Sequence, residues 1–590
     1  MLRFYGRHLL RIVFLLPTSI FISIEKSPRS RVFLPEAQTD PEFFRPPWRF
    51  LMADLATAVQ VIPATPSLVE RRFDGRPSRA GVWIFLLVVL SGLSYIGVHV
   101  AKDMDNVTVT SIWPYFLLGM ALLIALGFEF VNGFHDTANA VATVIYTNSL
   151  EPHVAVVWSG LCNLTGVLLS SGTVAFAVIT LLPVELILKV SSGAGFAMVF
   201  ALLIAAILWN LGTWWFGLPA SSSHTMVGSI IGVGLASQLM NLRSGASGLD
   251  WGQVIKVLKA LLISPLLGFA LAGLLILLSK RLLKSPALYK APKNNQPPPW
   301  PIRALLLLTC TGVSFFHGSN DGQKGMGLIM LILIGTVPTA YALNQAVSPA
   351  EVQTFIAASA QAGTVLDRHI APGTPDPDPR LEVTNYVRTR ELQPGTILAV
   401  RQLVGELGRE VTTYKSFQLV PAQDRSNVRN DMYLTAEALR LMDAANNSAF
   451  TPAERATLKS YRGQLDKGTK FIPTWVKVAV ALALGLGTMV GWKRIVITVG
   501  ERIGKEHLSY AQGASAELVT MATIFAANTY GLPVSTTHIL SSGVAGTMAA
   551  NGSGLRWSTV RNIAAGWVFT LPAAALLSGL LYCLFHTFTR

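Results

Sequence analysis

The chain has 590 residues, of which 51% are hydrophobic and 13% charged, and its mean hydropathy is +0.47. Many apolar runs approach the roughly 20 residues that cross a bilayer as a helix. A net charge of +15 would suggest nucleic acid as the partner of a soluble protein. Here the basic residues flank apolar runs, which is typical of orientation signals in a polytopic membrane protein. The lipid bilayer is therefore an expected partner, and nucleic acid is excluded.

Residues 1–80 are predicted to form a disordered, basic N-terminal extension. The apolar patch Ile12–Ile22 is too short to span a bilayer, and a stretch rich in Pro and Arg follows it. A cleaved signal peptide and a true start at Met52 are two interpretations that the sequence leaves open.

After this extension the hydropathy pattern predicts an all-α polytopic membrane protein. One extra span precedes five more, and a further span leads into a soluble insert that four spans follow. The predicted domains are 81–345, 346–471 and 472–590, and the second of these is the insert. The basic loop 280–303 is expected on the cytoplasmic side of the membrane and the insert on the periplasmic side.

Two polar stripes interrupt apolar segments, one at 130–139 and one at 315–324. In each stripe, polar residues recur at i, i+3, i+4 and i+7, so a helix presents all four on one face. A carboxylate is costly inside a bilayer, and such stripes therefore predict functional sites. The first stripe contains Asn132, His135, Asp136 and Asn139, and the second contains His317, Asn320, Asp321 and Lys324.

A second pair of motifs follows the stripes, GLPASSSH at 217–224 and GLPVSTTH at 531–538. Proline with hydroxyl residues behind it is typical of a helix N-terminus. There, free N–H groups, the positive end of the helix dipole and the hydroxyls form a cradle for an anion. Two such cradles suit a tetrahedral oxyanion. The predicted substrate-binding residues are Ser221, Ser222, Ser223, Ser535, Thr536 and Thr537, together with Asp136 and Asp321.

Stripe and hydroxyl motif thus occur once in each half of the chain. If each half crosses the membrane five times, an odd number, the second half is inverted relative to the first. Inverted repeats are typical of secondary transporters, which bind their substrate near the midplane. Asp136 and Asp321 repel an anion unless a cation or a proton accompanies it, so both are predicted coupling residues.

These motifs resemble the inorganic phosphate transporter (Pit) family, and most closely its bacterial low-affinity members. The resemblance covers about 112–588 and rests on FVNGFHDTANAVATVIYT, WNLGTWWFGLPASSSHTMVG, FFHGSNDGQKGMGLIMLILIG and GLPVSTTHILSSGVAGTM. It implies secondary transport of inorganic phosphate across the bacterial inner membrane, driven by an ion gradient. It also implies phosphate carried as a neutral complex with a divalent metal ion. The Asp and Asn positions of the family's motif G-A-N-D-x-A-N correspond to Asp136, Asn139 and Asp321.

The chain departs from that motif in both halves. His135 stands where Asn is usual, and Gln323-Lys324 stand where Ala-Asn would be. His135 can titrate near neutral pH, whereas Asn cannot. Lys324 places a built-in cation beside Asp321, where a sodium-coupled relative could bind a metal ion. Both departures favour coupling to protons. The predicted ion-coupling residues are His135, Asp136, Asn139, Asn320, Asp321 and Lys324.

The sequence therefore predicts phosphate:proton symport by alternating access. Three alternatives stay open: a permease for sulfate or another oxyanion, a sodium-coupled phosphate symporter, and a membrane sensor of phosphate. No nucleophile–base–orienter set indicates an enzyme, and no cofactor is expected. Cys162, Cys310 and Cys583 lack the spacing of a zinc or disulfide site, so no metal ligands are predicted. A homodimer is compatible with the sequence.

Overall fold

The computed structural model describes residues 78–104, 112–136, 138–182, 192–240, 249–292, 296–372, 378–445 and 450–589. The predicted N-terminal extension lies outside the described residues except for its last three positions. The side chain of Asn139, a predicted coupling residue, is also outside the described part.

Every regular element in the described residues is a helix, and one isolated antiparallel bridge joins Gly504 and Leu555. The predicted all-α class is therefore confirmed. Six helical segments of the described chain are long and apolar enough to cross a membrane, and two bent helix pairs raise that number to at most eight. The prediction of a polytopic membrane protein is confirmed as well, whereas the division into two inverted five-span repeats stays a prediction.

The first half of the chain forms eight helices within its described residues. They are α1 (Arg79–Met104), α2 (Trp113–Asp136), α3 (Ala138–Tyr146), α4 (Pro152–Leu168), α5 (Thr173–Ile179), α6 (Gly193–Trp215), α7 (Ser222–Met240) and α8 (Trp251–Leu282).

The second half begins with α9 (Trp300–Thr336) and the short α10 (Pro338–Tyr341). At 37 residues, α9 extends over about 55 Å, long enough to connect the two faces of a membrane. After the insert come α16 (Thr474–Thr488), α17 (Lys493–Ile497), α18 (Tyr510–Thr529), α19 (Thr536–Asn551) and α20 (Trp557–Thr589), with a π-helical turn at Thr498–Arg502 between α17 and α18.

The insert has a hydrophobic core of its own, built around buried side chains such as Phe355, Leu403 and Tyr461. Capping boxes at Ser348 and Thr451 fix the starts of its first and last helices. Its helices are α11 (Pro349–Asp367), α12 (Pro379–Thr389), α13 (Thr396–Tyr414), α14 (Arg425–Ala444) and α15 (Pro452–Thr469).

The helices of the two halves pack in reciprocal pairs. Helix α2 packs on α16 while α9 packs on α4, and α7 packs on α20 while α19 packs on α8. Glycines permit close approach at two of these crossings. A Cβ added to Gly133 would lie 2.3 Å from the Leu484 carbonyl oxygen, and a Cβ added to Gly318 would lie 2.1 Å from the Asn163 carbonyl oxygen. Gly133 and Gly318 hold matching positions in the two polar stripes, so each stripe is pressed directly onto a helix of the other half.

Helices α7 and α19 run from the protein interior toward opposite ends. Gln238, near the end of α7, lines a cavity together with Arg388 of the insert. Asn551, at the end of α19, donates a hydrogen bond from Nδ2 to the Tyr289 carbonyl oxygen in the loop after α8. The long helix α9 lies between this loop and the insert, so α7 and α19 end near opposite ends of α9. The N-termini of α7 and α19 therefore point toward each other.

Candidate functional site

The two hydroxyl motifs begin helices α7 and α19, as the sequence predicted. Ser221 Oγ accepts a hydrogen bond from the His224 N–H at 3.2 Å, and Ser535 Oγ accepts one from the His538 N–H at 3.1 Å. These two hydroxyls therefore act as helix caps in this conformation. Glycines at positive φ, 65° at Gly217 and 64° at Gly531, turn the chain before each motif.

Ser222 connects the two polar stripes. Its Oγ lies 2.5 Å from Asp136 Oδ2 and 3.3 Å from Asp321 Oδ2, and all three residues are buried. From the other half, Thr537 Oγ1 donates to Asp136 Oδ1 at 2.7 Å. The structure thus brings both predicted carboxylates and one hydroxyl from each motif into one cluster.

Lys324 is fully buried beside this cluster. Its Nζ lies 2.7 Å from Asp321 Oδ1 and contacts Ser223 Oγ, which in turn donates to the Val534 carbonyl oxygen at 2.7 Å. A buried ammonium requires such partners, since its desolvation costs several kcal/mol. Lys324 therefore links the second stripe to the cradles of both halves.

His135 also contacts Asp136. Its Nδ1 is 3.0 Å from Asp136 Oδ1, and its Nε2 is 3.1 Å from Thr213 Oγ1. Thr213 also donates to the Trp209 carbonyl oxygen at 3.0 Å, so its oxygen is able to accept a hydrogen bond from the Nε2–H of His135. The sequence analysis did not select Thr213, because a single threonine in the apolar helix α6 carries no pattern.

A second histidine reaches the cluster from α9. His317 Nδ1 lies 2.8 Å from Asn163 Oδ1, while Asn163 Nδ2 donates to Thr488 Oγ1 at 3.1 Å. Because the amide oxygen only accepts, His317 Nδ1 is the donor of this hydrogen bond, and Nε2 lies 3.7 Å from Asp321 Oδ2. His317 belongs to the second stripe but was not among the predicted site residues, and Asn163 was missed altogether.

Asp136, His317 and Asp321 could together hold a cation. One ligand atom of each lies within 4.8 Å of the others, and all three residues are buried. Two carboxylate oxygens and an imidazole nitrogen suit a divalent metal ion, and the hydrogen bond from His317 to Asn163 orients the ring for that role. The sequence predicted no metal ligands; His317 and Asp321 lie four residues apart on α9, and the fold brings Asp136 to them from α2.

Two predicted residues lie at the edge of the cluster. Asn320 Nδ2 donates to Asn528 Oδ1 at 2.6 Å and to the Leu532 carbonyl oxygen at 3.2 Å, so this side chain braces the turn before α19. Thr536 Oγ1 is buried without a hydrogen-bond partner among the described residues. A buried hydroxyl in that state is available to a ligand.

Comparison with known proteins gives consistent matches. The phosphate transporter family matches residues 132–578. The low-affinity inorganic phosphate transporter PitA of Escherichia coli (strain K12) is 41% identical over 486 residues, which are 79% of this chain and 96% of the relative. PitB of the same strain is 40% identical over 488 residues, 80% of this chain and 97% of the relative. A low-affinity inorganic phosphate transporter of Buchnera aphidicola subsp. Acyrthosiphon pisum is 38% identical over 480 residues, 79% of this chain and 96% of the relative.

Among solved structures, one described as the sodium-dependent phosphate transporter matches with a TM-score of 0.44 and 18% identity, covering 80% of this chain and 99% of that chain. Sodium dependence is a property of that protein.

Proposed function

The chain belongs to the phosphate transporter family, and we propose that it imports inorganic phosphate by symport with protons, with a divalent cation as part of the cargo. It is a multi-pass protein of the bacterial inner membrane and a transporter rather than an enzyme. The observation that carries the proposal is the meeting of Asp136 and Asp321 at Ser222, between the N-termini of α7 and α19.

Phosphate suits this position because donors converge on it from both halves. The first-turn N–H groups and hydroxyls of α7 and α19 form two anion cradles that face each other. The hydroxyls of Ser222 and Thr537 already donate to the carboxylates, and the Thr536 hydroxyl has no hydrogen-bond partner among the described residues. Phosphate bearing a proton can also donate to Asp136 or Asp321, which a sulfate ion at neutral pH cannot do. Phosphate is therefore favoured over sulfate.

Proton coupling is supported by the residues that neutralise the carboxylates. Lys324 places its ammonium 2.7 Å from Asp321 Oδ1, so this carboxylate has a compensating charge from the protein itself. His135 Nδ1 lies 3.0 Å from Asp136 Oδ1, at the position where the family's motif usually has Asn. An imidazole, unlike an amide, is able to carry a proton, and its contact with Asp136 supports coupling to protons.

A divalent cation fits the cluster as cargo bound together with phosphate. The group Asp136, His317 and Asp321 offers hard oxygen ligands and one oriented nitrogen. A cation there would reduce the repulsion between the carboxylates and the phosphate oxygens. Once the cluster faces the cytoplasm, cation and phosphate would leave together, and the empty site would then return to face the opposite side of the membrane.

The test is uptake of radiolabelled phosphate by proteoliposomes that contain the purified protein. Inward proton, sodium and divalent-cation gradients are imposed one at a time, and sulfate is offered as a competitor. Accumulation that follows the proton gradient and requires a divalent cation supports the proposal. Strict sodium dependence would overturn the coupling, and equal competition by sulfate would favour a general oxyanion permease.

A further inference from the structure

Glu129 has a buried carboxyl group that is not part of the cluster around Asp136, Asp321 and Ser222. It lies on α2 seven residues before Asp136, on the same face as Asn132, and its exposed fraction is 0%. One carboxyl oxygen, Oε2, accepts a hydrogen bond from Asn132 Nδ2 at 3.3 Å. The other, Oε1, has no hydrogen-bond partner among the residues that the structure describes.

The carboxyl group is pressed against the backbone of α9 at Gly325. A Cβ at Gly325 would lie 2.3 Å from Glu129 Oε1, so only glycine leaves room there. The Gly325 backbone interacts with the carboxyl group, but Oε1 makes no hydrogen bond that meets the usual distance and angle limits. Gly325 lies one turn after Asp321 and directly after Lys324, and these two are the charged residues that interact electrostatically with Glu129. Glu129 is therefore a neighbour of the Asp321–Lys324 ion pair.

Glu129 differs in this respect from Glu517, the other buried glutamate among the described residues. Glu517 on α18 accepts hydrogen bonds from the hydroxyls of Thr143 and Thr309, one on each carboxyl oxygen. Glu129 receives one amide hydrogen bond, and its nearest cation, Lys324, is already engaged by Asp321 and Ser223. An ionised carboxylate in such surroundings is strongly disfavoured, so Glu129 carries a proton in this conformation.

We propose that Glu129 carries the coupling proton, and that loss of this proton draws Lys324 away from Asp321 and Ser223. The inference rests on the proposed proton symport and assigns it a residue. With Glu129 protonated, Lys324 and Asp321 cancel and the three groups have no net charge. Release of the proton to water leaves two carboxylates and one ammonium, a net charge of −1. The nearest cation able to approach the new carboxylate is Lys324.

This change in charge couples the proton to the substrate. An anion in the cradles binds better when the three groups are neutral than when they carry a negative charge. By thermodynamic reciprocity, bound phosphate strengthens the binding of the proton to the same degree. Movement of Lys324 also withdraws an ammonium from Ser223 in the cradle of α7. Proton release therefore weakens phosphate binding at the end of the inward step.

The test separates exchange of phosphate from proton-driven accumulation. Proteoliposomes with Glu129→Gln are assayed for exchange of radiolabelled for unlabelled phosphate without a gradient, and for accumulation under an imposed pH gradient. Glutamine resembles the protonated carboxyl group, so we expect exchange within about threefold of the unmodified protein and a loss of accumulation of about tenfold or more. Glu129→Asp keeps an acidic group and should recover part of the accumulation. Glu517→Gln, a buried acid that is bound by two hydroxyls, is the matched control and should retain both activities.

Accumulation that persists in Glu129→Gln would overturn the inference. So would equal loss of exchange and accumulation in both Glu129→Gln and Glu129→Asp, because a structural role predicts that result. The proposed function fails in a different way, since the unmodified protein would then show no accumulation under a pH gradient at all.

Discussion

Asp136 and Asp321 meet at one hydroxyl, that of Ser222, which lies 2.5 Å from an oxygen of the first carboxylate and 3.3 Å from an oxygen of the second. The two carboxylates occupy matching positions in the two stripes, yet their neighbours differ. Asp321 pairs with the ammonium of Lys324, and Asp136 pairs with the imidazole of His135. The two carboxylates therefore have chemically different partners.

Replacing either carboxylate should abolish coupled uptake. Asp136→Asn and Asp321→Asn each remove a buried charge, which eases membrane insertion, so the protein should still reach the membrane. Radiolabelled phosphate uptake and the membrane content of the protein are measured together. Glu151→Gln, a change at an exposed residue that begins α4, should leave uptake unaffected. Near-normal uptake by either Asp variant would contradict the assignment of the site.

The hydroxyls of the cradles should contribute to phosphate affinity. Ser222→Ala combined with Thr536→Ala removes two donors, each of which is worth about 1–3 kcal/mol toward a charged ligand. We expect the apparent KM for phosphate to rise by about tenfold or more, with little change in protein level. Ser264→Ala on α8, whose hydroxyl donates to the Leu261 carbonyl oxygen at 3.4 Å, is the control. An unchanged KM with lowered thermal stability would mean that the hydroxyls only cap helices.

The sequence predicts those residues of the site that stand in a recurring pattern, and it does not predict those that stand alone. Asp136 and Asp321 stand out because a carboxylate is rare in an apolar helix and because the motif recurs at helical spacing. Asn163, Thr213 and Thr488 are isolated polar residues on three other helices, so no spacing links them to the stripes. Their role depends on which helices cross, and the crossings are set by close glycine contacts that the sequence pattern does not reveal.

His317 should contribute to the affinity for the divalent cation. His317→Gln removes the oriented Nε2 from the group of three, and we expect manganese affinity measured by electron paramagnetic resonance in the presence of phosphate to fall by about tenfold or more. Asn163→Ala leaves the ring without its orienting partner and should cause a smaller loss in the same direction. His153→Gln, an exposed histidine on α4, should have no effect. If all three variants bind manganese as the unmodified protein does, the cation does not use His317.

Asp250 should attach the insert to the membrane domain in a pH-dependent manner. Burial would raise the pKa of the Asp250 carboxyl, but the Gln253 N–H and the guanidinium groups of Arg390 and Arg440 lower that pKa below its ordinary value. A lowered folded-state pKa stabilises the folded protein above the ordinary Asp pKa, and this stabilisation is lost as pH falls through the folded value. Asp250→Asn keeps the helix cap and should lower stability by about 1 kcal/mol near neutral pH, since the Arg partners are partly exposed.

The measurement for Asp250 is thermal unfolding of the detergent-solubilised protein at a series of pH values. The difference between the unmodified protein and Asp250→Asn should be present at neutral pH and shrink in strongly acidic buffer. Asp250→Ala loses the cap as well and should be less stable than Asp250→Asn at every pH. A difference that grows with falling pH would contradict the sign of the linkage.

The identity of the coupling ion should depend on Lys324 and His135. Uptake by the unmodified protein should follow an imposed proton gradient, collapse with a protonophore and persist when choline replaces sodium. Lys324→Asn with His135→Asn removes the ammonium that lies 2.7 Å from Asp321 and the imidazole that lies 3.0 Å from Asp136. Both carboxylates then lose these basic neighbours, so compensation by a monovalent ion from solution becomes more favourable.

The double variant should therefore lose its dependence on the proton gradient, and added sodium should restore part of the phosphate uptake. Each single variant separates the two contributions. Lys324→Asn alone leaves the His135 imidazole in place, and His135→Asn alone leaves the Lys324 ammonium in place. If ion choice is set by charge compensation at the two carboxylates, sodium stimulation appears only where the Lys324 ammonium is gone. Strict sodium dependence of the unmodified protein would show that these two residues do not set ion choice, whatever the substrate.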